Sequence, residues 1–208
     1  MAGHMLWRSH PPLAVLMLVS VSLLSCGGSK RRDKAPSESY FDEDPGHPTV
    51  GDVPPAGMDT IIAAHNRKRK RHCAPPLEWS GEIADVAQAW ADKLAKRGCA
   101  FDHSSSKYGE NLAAGTESVM DAERAVEIWY EEQQHHKFGG GGFSERAGHF
   151  TQLVWKDSRR LGCGTSTCNG KRIWVCNYDP PGNVKGEFAD EVLPSTCRDE
   201  ERKKKSSD

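Results

Sequence analysis

The sequence places a histidine directly before a segment that is expected to form a buried helix. In the stretch RAGHFTQLVW, Phe150, Leu153 and Val154 are spaced i, i+3 and i+4, which is typical of one apolar helix face. His149 comes immediately before this face, and its imidazole changes charge near neutral pH. Two interpretations follow: His149 fills a corner of the core, or it is one wall of a functional site.

His149 belongs to a series of short motifs. They are HNRKR at 65–69, HSSSKYGENLA at 103–113, WYEE at 129–132, GHFTQLVW at 148–155 and VCNYDPPGN at 175–183. Together, and in this order, they resemble the CAP superfamily of cysteine-rich secretory proteins, venom antigen five and plant pathogenesis-related proteins. The resemblance runs over about residues 58–188, so it covers nearly all of the expected folded part.

The resemblance implies an α+β fold, a three-layer α-β-α sandwich with a large open cleft. It also implies that two histidines and two glutamates line this cleft. Matched by motif, these residues are His103, Glu110, Glu132 and His149. Glu132 is preferred to Glu131 because the carboxylate of the family is the fourth residue of a W-Y-x-E motif.

Two histidines and two glutamates can do two kinds of chemistry. Neutral imidazoles bind divalent metals, and nearby glutamates orient the ring N–H groups or a bound water. His103 and His149 are therefore the candidate metal ligands, with zinc or another divalent cation as the expected cofactor. The same groups could instead act as general acid and base. His135 and His136 could extend a metal site or lie exposed beside the glycine-rich loop.

Two classes of function remain open. The first is a non-enzymatic binding module on the cell envelope, since members of the family are associated with sterol or fatty-acid binding. The second is a metal-assisted hydrolase of peptides or, ranked below them, of envelope sugars, with Glu110 or Glu132 as the base. No GxSxG or HExxH motif supports a standard hydrolase, so we expect binding. The net charge of −1 gives no indication of a nucleic-acid partner.

Helical patterns dominate the first half of the expected domain. Residues 58–71 predict a first helix with Ile61 and His65 inside and the basic run RKRKR largely in water. A patch for polyanions is the alternative interpretation of this run. A second amphipathic helix follows the break at APPLEW. Ser118 and Asp121 predict a capping box for a third helix, with Val119 on its buried side.

Strand patterns dominate the second half. The runs RRLGCGTSTC and KRIWVCNY flank Asn169 and Gly170, the strongest short hairpin signal. Helices followed by strands indicate an α+β fold, in agreement with the resemblance.

The N-terminus has the pattern of an export signal. A mildly basic head precedes an apolar run from Leu13 to Leu24, which is too short to span a bilayer. Ser25 and Cys26 then resemble the lipobox of bacterial lipoproteins, in which cleavage before the cysteine is followed by lipidation. An ordinary secretory peptide is the alternative. We therefore expect an envelope protein anchored to a membrane through acylated Cys26, or a secreted one if the lipobox is not used.

Four segments are predicted along the chain. They are a lipoprotein-type signal peptide at 1–25, a flexible tether at 26–57, a CAP domain at 58–197 and a charged disordered tail at 198–208. The tether is rich in Gly, Pro, Ser and charge, so it buries too little apolar surface to offset the entropy of ordering.

Cysteine usage agrees with export. Besides Cys26, the chain has Cys73, Cys99, Cys163, Cys168, Cys176 and Cys197, an even set that indicates disulfides in an exported protein. None forms a CxxC pair, so a structural zinc site is disfavoured. By analogy with the family we expect Cys99–Cys163 and Cys168–Cys176, which leaves Cys73 for Cys197.

Overall fold

The computed structural model describes residues 52–197 of the chain. The predicted signal peptide at 1–25, the lipidation site Cys26, the tether up to residue 51 and the tail at 198–208 lie outside the described residues. Along the described part, the elements are α1 (Asp59–Arg69), a first 3₁₀ helix (Lys70–His72), β1 (Glu78–Trp79), α2 (Gly81–Lys96), β2 (Gly109–Thr116), α3 (Ala122–Glu131), a second 3₁₀ helix (Glu132–His135), α4 (Gly148–Val154), β3 (Arg160–Cys168), β4 (Lys171–Asp179) and α5 (Phe188–Glu191). None of the helices within 52–197 has the length and apolarity needed to cross a membrane.

The four strands form one sheet in the order β1-β3-β4-β2. β4 pairs antiparallel with both β3 and β2, and the short β1 runs parallel to β3. Asn169 and Gly170 join β3 to β4, and both have positive φ, 50° and 70°. Two successive positive-φ residues are the requirement of a type I′ turn, whose twist matches that of the strands. The hairpin prediction is therefore confirmed.

α2 covers one face of the sheet. The buried cluster on this face consists of Ala87, Ala91, Leu94, Leu112, Ile173 and Val175. Two glycines of β3 allow the helix to approach closely. A Cβ on Gly162 would lie 2.1 Å from the backbone nitrogen of Ala84, and one on Gly164 would lie 2.3 Å from the Cα of Gln88. A larger residue at either position would push the helix away from the sheet.

α1, α3 and α4 cover the opposite face. Successive strand residues point to opposite faces, so Ile173 and Val175 face α2 whereas Trp174 and Cys176 join the cluster on the other side. The second cluster also buries Trp129 of α3. The layers are thus one helix, the sheet and a group of three helices. The predicted three-layer α-β-α fold is confirmed.

The basic run at the end of α1 lies largely in water, as expected, but one of its members is buried. Arg69 is 0% exposed, and its guanidinium donates to the backbone carbonyls of Pro75, Leu153, Trp155 and Ser158 at 2.8 to 3.0 Å. Burial lowers the pKa of Arg69 to about 10, so the side chain stays charged at neutral pH. The sequence pattern did not distinguish Arg69 from the other cations of the run, although Arg69 lies on the buried face of α1.

α3 begins later than the predicted capping box. Its N-cap is Asp121, whose carboxylate accepts from the backbone N–H of Arg124 at 2.8 Å. Val119 is 62% exposed rather than buried, because it precedes the helix. A single Asp at the N-cap satisfies a first-turn donor without a second capping residue.

The structure contains three disulfides: Cys73–Cys197, Cys99–Cys168 and Cys163–Cys176. The expected Cys73–Cys197 bond is present, but the expected bonds Cys99–Cys163 and Cys168–Cys176 are wrong. The register of β3 and β4 decides the pairing, since it places Cys163 directly opposite Cys176 and Cys168 opposite Lys171. Cys168, at the end of the hairpin, is left to bond Cys99, which follows α2.

Candidate functional site

His149 and Glu132 form the first pair of the candidate site. Glu132 lies where α3 passes into the second 3₁₀ helix, and its Oε1 lies 2.7 Å from His149 Nδ1. Its Oε2 accepts from the backbone N–H groups of His149 and Phe150, at 3.0 and 3.3 Å. These are the second and third residues of α4, whose own N-cap, Ala147, offers no side-chain acceptor. Glu132 therefore caps α4 from outside the helix and holds the imidazole at the same time.

His103 and Glu110 form the second pair. His103 lies in the segment between α2 and β2, and its Nδ1 is 2.7 Å from Oε1 of Glu110. The same oxygen accepts from the backbone N–H of Ser104 at 2.9 Å. The imidazole is 61% exposed, whereas the carboxylate is only 6% exposed. Thus a buried carboxylate on the edge strand β2 orients a histidine that faces the solvent.

A buried polar chain connects β2 to the backbone of the first pair. Asn111, which follows Glu110 along β2, donates to the carbonyl of His149 at 3.0 Å and to Tyr178 Oη at 3.1 Å. Tyr178 Oη in turn lies 2.8 Å from His65 Nε2, and His65 Nδ1 lies 2.7 Å from the carbonyl of Ile61. Because a carbonyl only accepts, His65 carries its proton on Nδ1 and accepts from Tyr178 at Nε2. His65 thus ties α1 to Tyr178 of β4.

Burial keeps this chain uncharged. His65 and Tyr178 are both 0% exposed. Desolvation lowers the pKa of His65 to about 4 and raises the pKa of Tyr178. At neutral pH both groups are therefore neutral, and each hydrogen bond in the chain has one donor and one acceptor.

The two carboxylates set the protonation pattern of their histidines. An ionised carboxylate only accepts, so each imidazole must carry a proton on the Nδ1 that faces it. In the neutral tautomer the lone pair then lies on Nε2. Neither Nε2, of His103 or of His149, hydrogen-bonds to another group within residues 52–197. Both rings therefore present an unused lone pair while their orientation is fixed.

The structure brings the four residues together as two pairs. Across the part of the chain with assigned structure, no group of three or more His, Cys, Asp or Glu side chains is arranged to hold a metal ion. The neighbouring His135 and His136 make other contacts: His136 packs on Phe138, with ring centroids 4.9 Å apart, and His135 contacts Arg146. Two cavities, of about 520 and 390 Å³, are lined by other residues. A cleft shared by both pairs stays a prediction.

Sequence reasoning missed the contribution of Asn111 and the second role of Glu132. Asn111 was visible only as part of the GENLA motif, and no local pattern shows that its amide reaches α4. The capping role could have been suspected from the segment before α4, which offers Ala147 where a helix usually has Ser, Thr, Asp or Asn. When no side chain beside the start of a helix can accept from its first N–H groups, a residue distant in sequence can supply the acceptor, as Glu132 does for α4.

The fold and the ordered motifs agree with a comparison to known families. The model of the Cysteine-rich secretory protein family, CAP, matches residues 62–178 of this chain. The match spans more than half of the sequence. The chain therefore belongs to the CAP family.

Two individual relatives show how similar the chain is to other proteins of the family. Pathogenesis-related protein 1A of Nicotiana tabacum is 42% identical over 129 residues, which cover 61% of this chain and 76% of the tobacco protein. Secreted protein RBT4 of Candida albicans is 42% identical over 131 residues, which cover 61% of this chain and 35% of the yeast protein. Relatives of this kind agree with the predicted export, whereas the bacterial lipid anchor stays a prediction.

Solved structures show the same fold. The crystal structure of NaASP2 with Zn²⁺ superposes with a TM-score of 0.54 at 24% identity, covering 72% of this chain and 90% of that protein. At this identity the likeness concerns the architecture alone.

Proposed function

We propose that this CAP-family chain is an exported binding domain whose His103 and His149 bind a divalent cation such as zinc. The observation that carries the proposal is that each imidazole donates from Nδ1 to a carboxylate and has no partner at Nε2 among the described residues. Histidine ligands of metals typically donate their second ring N–H to a carboxylate in this way, which fixes the tautomer and raises the basicity of the ligand.

The charges of the four side chains fit a divalent cation. Two neutral imidazoles supply nitrogen ligands, and two carboxylates together balance a charge of +2. In addition, Oε2 of Glu110 is buried and has no hydrogen-bond partner among the described residues. An unpaired buried carboxylate oxygen is costly, and a nearby cation or its bound water would relieve this cost.

The hydrogen bonds of the carboxylates favour binding over hydrolysis. Both oxygens of Glu132 are engaged, one by the imidazole of His149 and the other by two backbone N–H groups. Oε1 of Glu110 is likewise engaged by His103 and Ser104, and its unpaired Oε2 is buried away from bulk water. A general base needs a carboxylate oxygen that can take a proton from water. These glutamates instead support their histidines, so their role is positioning.

Calorimetry with zinc tests the proposal directly. We expect the parent chain to bind zinc and the double variant His103→Ala/His149→Ala to lose this binding while its circular dichroism stays unchanged. His135→Ala, in an exposed histidine near the same site, is the matched control and should bind like the parent. Equal zinc affinity of the double variant and the control would refute the metal role.

The remaining parts of the proposal need their own measurements. A lipid or sterol as the ligand of the cleft follows from the family and is tested by binding of labelled fatty acid and cholesterol to the zinc-loaded chain. Turnover of a peptide or peptidoglycan library that is lost in Glu132→Gln would replace binding by the hydrolase function. Mass spectrometry of the mature N-terminus tests acylation of Cys26, and an unacylated product would refute the lipid anchor.

A further inference from the structure

A second site is indicated where α1 passes into the first 3₁₀ helix and three cations follow one another within about one helical turn. Arg67 belongs to α1, whereas Lys70 and Arg71 belong to the 3₁₀ helix. All three line a cavity of about 520 Å³. Volumes of this size are typical of sites for small ligands.

The remaining walls of this cavity, which we call the basic cavity, are polar. They are formed by Tyr130, Gln133 and Ser195, and no residue between 52 and 197 that lines the cavity is acidic. The Cys73–Cys197 disulfide lies close in sequence to two of the lining residues, Arg71 and Ser195. It joins the residue two positions after Arg71 to the residue two positions after Ser195, and so holds the C-terminal segment beside α1.

The cations of the basic cavity are available to a ligand. Lys70 and Arg71 are exposed, and neither forms an ion pair with a carboxylate within residues 52–197. Arg67 pairs with Glu123 at 2.8 Å, but both side chains are more than half exposed, and such surface pairs contribute little. The Arg71 guanidinium lies 5.9 Å from the ring centroid of Tyr130, at the exposed end of its side chain. Lys68 differs, because its side chain is only 16% exposed and pairs with Glu127.

We propose that the basic cavity binds a ligand carrying two or more phosphate-type oxyanions. Arginine forks match the geometry of phosphate oxygens, and lysine adds a compact charge. The C-terminal end of α1 opposes an anion with a partial charge of about −0.5, but three full positive charges outweigh it. Gln133 and Ser195 add neutral donors, which suit the hydroxyl or ester groups between phosphates.

Two sources supply this chemistry: a soluble polyphosphate, or the phosphate of a lipid headgroup at a membrane surface. Calorimetry with inorganic tripolyphosphate probes the first source. Sedimentation with phosphatidylglycerol vesicles, against phosphatidylcholine vesicles, probes the second. We expect tripolyphosphate to bind, with an affinity that falls as ionic strength rises.

The variant Lys70→Gln/Arg71→Gln tests the site, and Lys93→Gln/Lys96→Gln on α2 removes the same charge elsewhere. We expect the first variant to bind tripolyphosphate about tenfold more weakly or worse, since charge-assisted hydrogen bonds are the strong ones. The control should bind like the parent. Glu123→Gln should bind more tightly, because it frees Arg67.

Each outcome decides the proposal. Binding to phosphatidylglycerol vesicles alone, lost in the Lys70→Gln/Arg71→Gln variant, assigns the lipid source and supports the site. Equal losses in this variant and in the Lys93→Gln/Lys96→Gln control would show that only net charge matters and would overturn it. Absence of binding to both probes would overturn it as well. Zinc binding by the histidine site is measured separately, so failure of one proposal leaves the other standing.

Discussion

Replacement of Glu132 by glutamine gives the sharpest test of how the histidine site is built. In the native chain the carboxylate accepts three hydrogen bonds, from His149 Nδ1 and from the backbone N–H groups of His149 and Phe150. The isosteric amide has one accepting oxygen and one donating NH₂ group. If the oxygen continues to cap α4, the NH₂ group faces Nδ1, and His149 must move its proton to Nε2 to accept.

The Glu132→Gln substitution has two measurable effects, one on stability and one on zinc affinity. For stability, the lost charge at the start of α4 costs about 0.3–1 kcal/mol, and the weaker capping of the backbone N–H groups by a neutral amide oxygen costs about 0.5–1 kcal/mol. The Glu132 side chain is 21% exposed, so solvent screens these interactions only in part, and we expect a total of about 1–2 kcal/mol. For binding, the shifted proton removes the Nε2 lone pair of His149, so zinc affinity should fall about 10–100-fold.

Three measurements follow these effects. Long-range ¹H–¹⁵N NMR reports which ring nitrogen of His149 carries the proton, urea unfolding gives the free energy of unfolding, and calorimetry gives the zinc affinity. Glu131→Gln is the matched control, since Glu131 is the adjacent carboxylate, is half exposed and pairs only with Arg124. The reasoning is refuted if Glu132→Gln leaves the His149 proton on Nδ1 and unfolds at the same urea concentration as the control.

Three further predictions concern the fold. Arg69→Met should lower the free energy of unfolding by about 3–5 kcal/mol, because four buried carbonyls lose their donor; urea unfolding measures this. Gly164→Ala should cost about 1–3 kcal/mol or prevent folding, since its Cβ would meet the Cα of Gln88 at 2.3 Å; thermal unfolding measures this. The pKa of His65 is about 4 in the folded chain and 6.5 in the unfolded chain, so the unfolded chain binds the proton more readily. Stability should therefore be constant above pH 6.5 and fall by up to about 3 kcal/mol between pH 6.5 and 4, as measured by urea unfolding against pH.

Each of these predictions has its own control. Arg71→Met removes an exposed arginine two positions from Arg69, and equal losses in both variants would contradict the anchoring role. Gly142→Ala adds a Cβ where no atom lies within 4 Å, so a matching loss there would show that steric contact with α2 is not the cause in Gly164→Ala. The pH effect is wrong if the difference between pH 7 and pH 4 is as large in His65→Gln as in the parent.

Much of the fold was predictable because local patterns follow from the geometry of single elements. The helix period identified the buried face of α4, and the hairpin followed from Asn169 and Gly170, which adopt positive φ readily. Ordered motifs identified the family and supplied the four candidate site residues. Each of these signals lies within a short stretch of chain.

Sequence by itself determined the main helices, the hairpin, the family and which residues are candidates. Only the tertiary structure decided their partners: Glu132 with His149 across 17 positions, Cys163 with Cys176 through strand register, and Arg69 with carbonyls as far as 89 positions away. The physical reason is that side-chain chemistry and period are properties of one segment. The choice among chemically equivalent partners depends instead on which segments pack together, and local patterns carry no record of that packing.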